Sequence, residues 1–203
     1  MLEDFIVILI TLIIIMDPIG NLPFFLLFTA SNTYQERLKT AGIGVAAAGV
    51  ILIFFSITGD AVLRFFGIGL PAFQITGGFI LFVYSLQMLR LIPGTIKSTD
   101  EEEQEGITKD NVALVPLATP LLAGPGAITA VIVWQGDFGA PIPILWLITA
   151  IVIACLIIYL VFYFGEKIHN ILGVGGIRVI ARLMGLLLAV IAIQFIVNGI
   201  KHI

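Results

Sequence analysis

Six nearly uncharged apolar runs dominate the chain, near residues 5–29, 40–58, 70–90, 112–134, 144–164 and 179–200. Each is close to the roughly 20 residues an α-helix needs to cross a hydrocarbon core of about 30 Å. Backbone N–H and C=O groups find no water there, so each run must satisfy its own polar groups by coiling into a helix. The composition agrees. Only 11% of the 203 residues are charged and 60% are hydrophobic, with a mean hydropathy of +1.15, whereas a soluble domain usually carries about 25% charge. An all-α polytopic membrane protein with six transmembrane helices is expected, with lipid as its outer solvent.

The remaining charges are concentrated. Asp100, Glu101, Glu102, Glu103, Glu105 and Asp110 share one stretch with Lys97 and Lys109, so residues 93–111 read as a solvated acidic linker that largely explains the net charge of −3. No nucleic-acid partner is expected. Cys155 is the sole cysteine and cannot form an intrachain disulfide, and the two histidines, His169 and His202, lie far apart. Metal-ligand, nucleophile-elbow and phosphate-loop motifs are absent. With no nucleophile–base pair among the spans either, neither a cofactor nor an enzymatic activity is expected. The first run follows Glu3 and Asp4, without the basic segment or cleavage site of a secretion leader, and reads as a retained span.

With the N-terminus outside, Arg37, Lys39, Arg90, Lys97, Lys109, Lys167, Arg178 and Arg182 fall on the cytoplasmic side, and only Arg64 and Lys201 fall outside. Such a bias sets orientation in helical membrane proteins, so both termini are expected outside.

The halves also resemble each other. Asp17-Pro18-x4-Pro23 matches Thr119-Pro120-x4-Pro125; Gly59-Asp60 with Gly67 and Gly69 matches Gly165-Glu166 with Gly173 and Gly175; Gly78 and Gln87 match Gly185 and Gln194. These landmarks suggest a duplicated three-span unit: repeat one over 1–92, the linker over 93–111 and repeat two over 112–203. A unit with an odd number of spans re-enters the membrane from the opposite side, so the copies form two inverted three-helix repeats, an architecture frequent among secondary transporters. Chance likeness between Gly-rich apolar helices is the alternative.

Two spans are interrupted. In the first, Pro18 and Pro23 lack amide hydrogens, Gly20 weakens the helix and Asn21 competes for backbone groups. In the fourth, Pro116, Pro120 and Pro125 interrupt, with Gly124 and Gly126 beside the last. Unwound backbone survives in a membrane only when buried in protein or facing a wet cavity. Two such segments at matching places are expected to face one another across a cavity, with half-helices beginning near Phe24 and Ala127. Their positive ends suit a carboxylate and freed carbonyls suit an ammonium group, so a small zwitterionic solute fits both. Proline kinks that only shape packing are the plain alternative.

Asp17 is the only ionisable residue well inside a span. A charge there costs at least about 2.5–3.5 kcal/mol, which a carboxyl can avoid by taking a proton. Asp17 therefore reads as a coupling-proton site, as a partner for the solute's ammonium, or as a cap for the half-helix at Pro18. AGIGVAAAGV and Gly77-Gly78 read as close-packing faces. Gln87, Gln194 and Asn198 are expected to bond between helices, and Trp134 and Trp146 to flank a short loop at the interface.

IMDPIGNLPFF, PLATPLLAGPGAI and GGIRVIARLMGLLLAVIAIQFIVNGI resemble the MarC family of integral membrane proteins, itself similar to LysE-type exporters. The resemblance covers essentially the whole chain. It implies a six-span bacterial or archaeal inner-membrane protein linked to transport of small neutral amino acids such as alanine and glycine. The family's first motif falls on Asp17, Pro18, Gly20, Asn21 and Pro23, and its second on Pro120, Gly124, Pro125 and Gly126. With Thr119 and Thr129 alongside, these are the candidate substrate-binding residues. Gly20, Gly124 and Gly126 would leave room for a small side chain. Expected partners are the solute, the lipid bilayer and a coupling proton in preference to sodium, with a homo-oligomer left open. The rival readings are an exporter or channel for other small solutes, and a non-transporting membrane scaffold.

Overall fold

A computed structural model of the chain describes residues 2–30, 32–92, 113–136 and 143–203, so the acidic linker and the loop after Gly136 lie outside the described residues. All regular structure in the described residues is helical: α1 (Leu2–Met16), α2 (Pro18–Phe28), α3 (Tyr34–Phe65), α4 (Leu70–Met88), α5 (Ala113–Leu122, wound as a π-helix), α6 (Pro125–Gln135), α7 (Ile144–Tyr163) and α8 (Gly165–Lys201). Five stretches are long and apolar enough to cross a membrane, with α1 and α2 together forming the first. The fourth run is divided between α5 and α6, of 10 and 11 residues, each too short to cross alone.

Polar segments between the apolar runs are helical as well. Thr33 caps α3 through a reciprocal box, its hydroxyl accepting from the Glu36 amide and the Glu36 carboxylate accepting from the Thr33 amide. The helix thus begins inside SNTYQERLK and runs past Asp60, which pairs with Arg64 one turn later at 2.9 Å. The Glu166–Asn170 segment belongs to α8, where helix resumes one residue after α7 ends. The true interruption comes later, at Gly173 (φ 59, ψ 178).

The ends of α3 and α4 use one device. The Gly67 amide donates to Arg64 O and the Ile68 amide to Leu63 O; likewise Arg90 donates to Gln87 O and Leu91 to Leu86 O. Both are Schellman turns, which require a left-handed residue. Gly67 (φ 67) supplies it without strain, but α4 places Arg90 there (φ 58), at a strain of about 1–2 kcal/mol.

The core is apolar with a few polar side chains set into it, and the exterior is apolar too, unlike that of a soluble domain. Asp17, Asn21, Thr29, Ser56, Gln74, Ser85 and Thr129 are buried, whereas Val50, Phe54, Phe79, Leu156, Leu183 and Val190 are exposed. Helix α4 lies antiparallel on α8 with almost no space between backbones. A Cβ on Gly78 would come within 2.8 Å of the Ala192 carbonyl, and one on Gly199 within 2.9 Å of the Pro71 carbonyl. Helices α3 and α7 are also antiparallel, Gly49 facing Cys155 and Gly42 facing Tyr159. Several further contacts have a counterpart in the other half: α3 with α5 and α7 with α1, α4 with α6 and α8 with α2, α3 with α6 and α7 with α2. Gln194 bonds Asn198 along α8 at 2.7 Å, not a neighbouring helix as expected.

Candidate functional site at the two helix breaks

The first break is one residue wide. Asp17 adopts a left-handed conformation (φ 45, ψ 65) and α2 starts at Pro18, whose missing amide hydrogen is no loss at the first helical position. The half-helix therefore begins at Pro18 rather than near Phe24, and Pro23 lies inside it. Asp17 Oδ1 accepts from the Gly20 amide at 3.0 Å, capping the positive end of α2. That amide would otherwise serve the Met16 carbonyl, which instead receives the side-chain amide of Asn21 at 2.8 Å.

The second break spans Ala123 and Gly124. Gly124 is extended (φ −75, ψ 172), and α6 starts at Pro125, ahead of the Ala127 expected. Pro125 cannot donate to the carbonyl of Leu121, four residues back. Asn21 Nδ2 approaches that carbonyl as well, at 3.4 Å across 100 residues of sequence. Asn21 is fully buried, and beside it Phe24 and Phe28 pack on Leu121. The two breaks thus meet through one amide.

They differ in their caps. Gly124 offers no side chain to the first amides of α6. The space beside Gly126 is filled by Leu81, and the space beside Gly20 by the Asp17 carboxylate. Thr129 donates to Pro125 O at 2.8 Å and lies against Gly77 of α4. Thr119 is half-buried in α5, and Pro120 belongs to the same π-wound turn. At its other end α2 is held by Arg37, which donates to Thr29 O at 3.2 Å and pairs with Glu166 at the start of α8.

A cavity of about 260 Å³ opens beside Gly20, Pro23 and Phe24 of α2; Arg90, His169 and Arg178 face it from α4 and α8. Of the candidate substrate-binding residues only Gly20 and Pro23 line it, and Gly124, Pro125, Gly126 and Thr129 do not. Met16, Leu121 and Leu81 were not singled out from the sequence, although the rule that proline orphans the carbonyl four residues earlier could have found Leu121. A second hollow, between Gly42, Gly49 and Ile53 of α3 and Ile151, Cys155 and Tyr159 of α7, is almost wholly apolar.

The family model described as "MarC family integral membrane protein" matches residues 2–203. The chain belongs to the MarC family. A UPF0056 membrane protein of Methanocaldococcus jannaschii is 40% identical over 200 residues, covering 98% of this chain and 97% of the relative. One of Aquifex aeolicus is 35% identical over 195 residues, covering 95% and 90%. The protein YhcE of Escherichia coli is 34% identical over 189 residues, covering 93% and 88%. No solved structure matches this chain.

Proposed function

We propose that the protein is a secondary transporter of small neutral amino acids, of the alanine and glycine kind, working by alternating access between two inverted three-helix repeats in a cell inner membrane. Both termini are outside in this reading. The observation that carries it is the pair of matched breaks. Helices α2 and α6 have 11 residues each and begin at prolines 107 positions apart, while Gly67 and Gly173, 106 apart, are the two described glycines with positive φ. Two of the equivalent pairs, α3 with α7 and α4 with α8, pack antiparallel, which is what inverted copies require.

In this mechanism the solute enters by the cavity beside Gly20 and reaches the breaks when the Asn21 link to Leu121 opens. Its carboxylate then has the uncapped amides of α6, because at α2 the Asp17 carboxylate already takes the Gly20 amide. Asp17 carries the coupling proton, and releasing its cap on α2 links protonation to rearrangement.

Uptake of labelled alanine, glycine and serine into proteoliposomes, with and without an imposed pH gradient, tests the reading. Saturable uptake that rises with the gradient is expected. Asp17→Asn, which can still cap α2, should fold and bind but lose the gradient dependence. If no amino acid moves under any gradient, the assignment falls. One observation favours a non-transporting scaffold: Asp17 and Asn21 already satisfy the groups freed at the first break.

A further inference from the structure

Three basic side chains face one hollow from three separate stretches of helix. Arg90 closes α4, while His169 and Arg178 lie on either side of the Gly173 kink in α8. Among the described residues, no carboxylate shares the lining. Among them too, the arginine salt bridges are Arg37 with Glu166 and Arg64 with Asp60, so within the described residues neither Arg90 nor Arg178 is paired with a carboxylate. Arginines near a headgroup layer are ordinary in membrane proteins, but that pattern asks only for exposed charge. It does not require a hollow between the charges, nor an arginine at the left-handed position of a turn that favours glycine.

The geometry points to a binding site for a small oxyanion group, a carboxylate or a phosphate, held between the guanidinium groups of Arg90 and Arg178 with His169 as a third donor. Guanidinium matches such groups because its fork presents two parallel N–H donors to two oxygens. Gly20, Pro23 and Phe24 line the same hollow, so a bound anion lies beside the N-terminal part of α2. The anion belongs either to a free solute or to an anionic lipid headgroup, which share this chemistry. The site deepens the transport reading by holding an incoming carboxylate, but its test requires no transport.

The purified full-length protein in neutral detergent is titrated calorimetrically with inorganic phosphate, and its thermal unfolding is followed in parallel. Saturable binding is expected, weakened at least about ten-fold in Arg178→Gln and in Arg90→Gly, the scale of one charge-assisted contact. Arg182→Gln, which removes a neighbouring charge outside the lining, should leave it unchanged. Arg90→Gly relieves the left-handed strain, so its unfolding midpoint should rise while its binding falls, which a misfolded protein cannot do. Nanodiscs of phosphatidylcholine with and without phosphatidylglycerol separate the sources. Stabilisation by phosphatidylglycerol that the same variants abolish, without phosphate binding in detergent, identifies a headgroup; phosphate binding in detergent identifies a free anion. The proposal is overturned if neither ligand acts, or if Arg182→Gln weakens binding as much as Arg178→Gln. Anion binding without amino acid uptake would remove the transport reading and leave the site; uptake without anion binding would do the reverse.

Discussion

The side-chain amide of Asn21 lies 2.8 Å from the carbonyl of Met16 and 3.4 Å from that of Leu121. Each carbonyl belongs to a helix that stops early, and each has lost the donor that a continuing helix would provide. One buried side chain therefore restores bonding to both interruptions, which can separate only if this amide gives up a partner.

Replacing Asn21 with leucine, similar in size but without donors, leaves both carbonyls unbonded. A loss of roughly 1–3 kcal/mol is expected for stranding buried acceptors, read by unfolding in mixed micelles. A change within a few tenths of a kcal/mol would mean that Asn21 does not join the breaks.

Asp17 and Gly20 should be coupled. A methyl group at Gly20 overlaps the Asp17 carboxylate, so Gly20→Ala displaces the cap, worth about 1 kcal/mol. In an Asp17→Ala background the cap is already gone, and the same change should be neutral or gain up to about 1 kcal/mol in helix propensity. A double-mutant cycle measures the difference; additivity would contradict the capping geometry.

Gly126→Ala forces a methyl into Leu81, an overpacking expected to lose about 1–3 kcal/mol. Combined with Leu81→Ala, the loss should be smaller than the two single losses added together, by about 1 kcal/mol. Equal sums would show that α6 and α4 yield without strain.

Gly173 and Gly175 offer a comparison within one helix. A Cβ added at either would meet no atom within 4 Å, yet Gly173 alone has positive φ (59). With ψ at 178 its conformation is nearly exclusive to glycine, so Gly173→Ala should lose about 1–3 kcal/mol. Gly175→Ala should gain up to about 1 kcal/mol. Thermal unfolding of the two variants separates backbone strain from crowding.

Much of this arrangement could be read from residue spacing. Apolar length placed the crossings, and proline with glycine marked both interruptions. The register between halves was harder. Aligning Pro18 and Pro23 with Pro120 and Pro125 sets an offset of 102, whereas the half-helices begin at Pro18 and Pro125, 107 apart. Several prolines compete for one role, and which one starts a helix depends on the preceding turn: π-winding carries α5 past Pro116 and Pro120 as far as Leu122. The cavity was not legible either. Arg90 lies in the other half of the chain from His169 and Arg178, and the Schellman turn of α4 and the kink at Gly173 between His169 and Arg178 accompany their meeting around Gly20.

The ion pair between Arg37 and Glu166 has no twin among the described residues. Glu166 corresponds in the first half to Asp60, 106 residues earlier, and Asp60 turns to Arg64 on its own helix. In the transport reading the two halves give two nearly equivalent postures, and a contact not shared between the halves biases one of them. If the halves rock as proposed, the pair between Arg37 and Glu166 is a tie from one half to the other that the motion has to break.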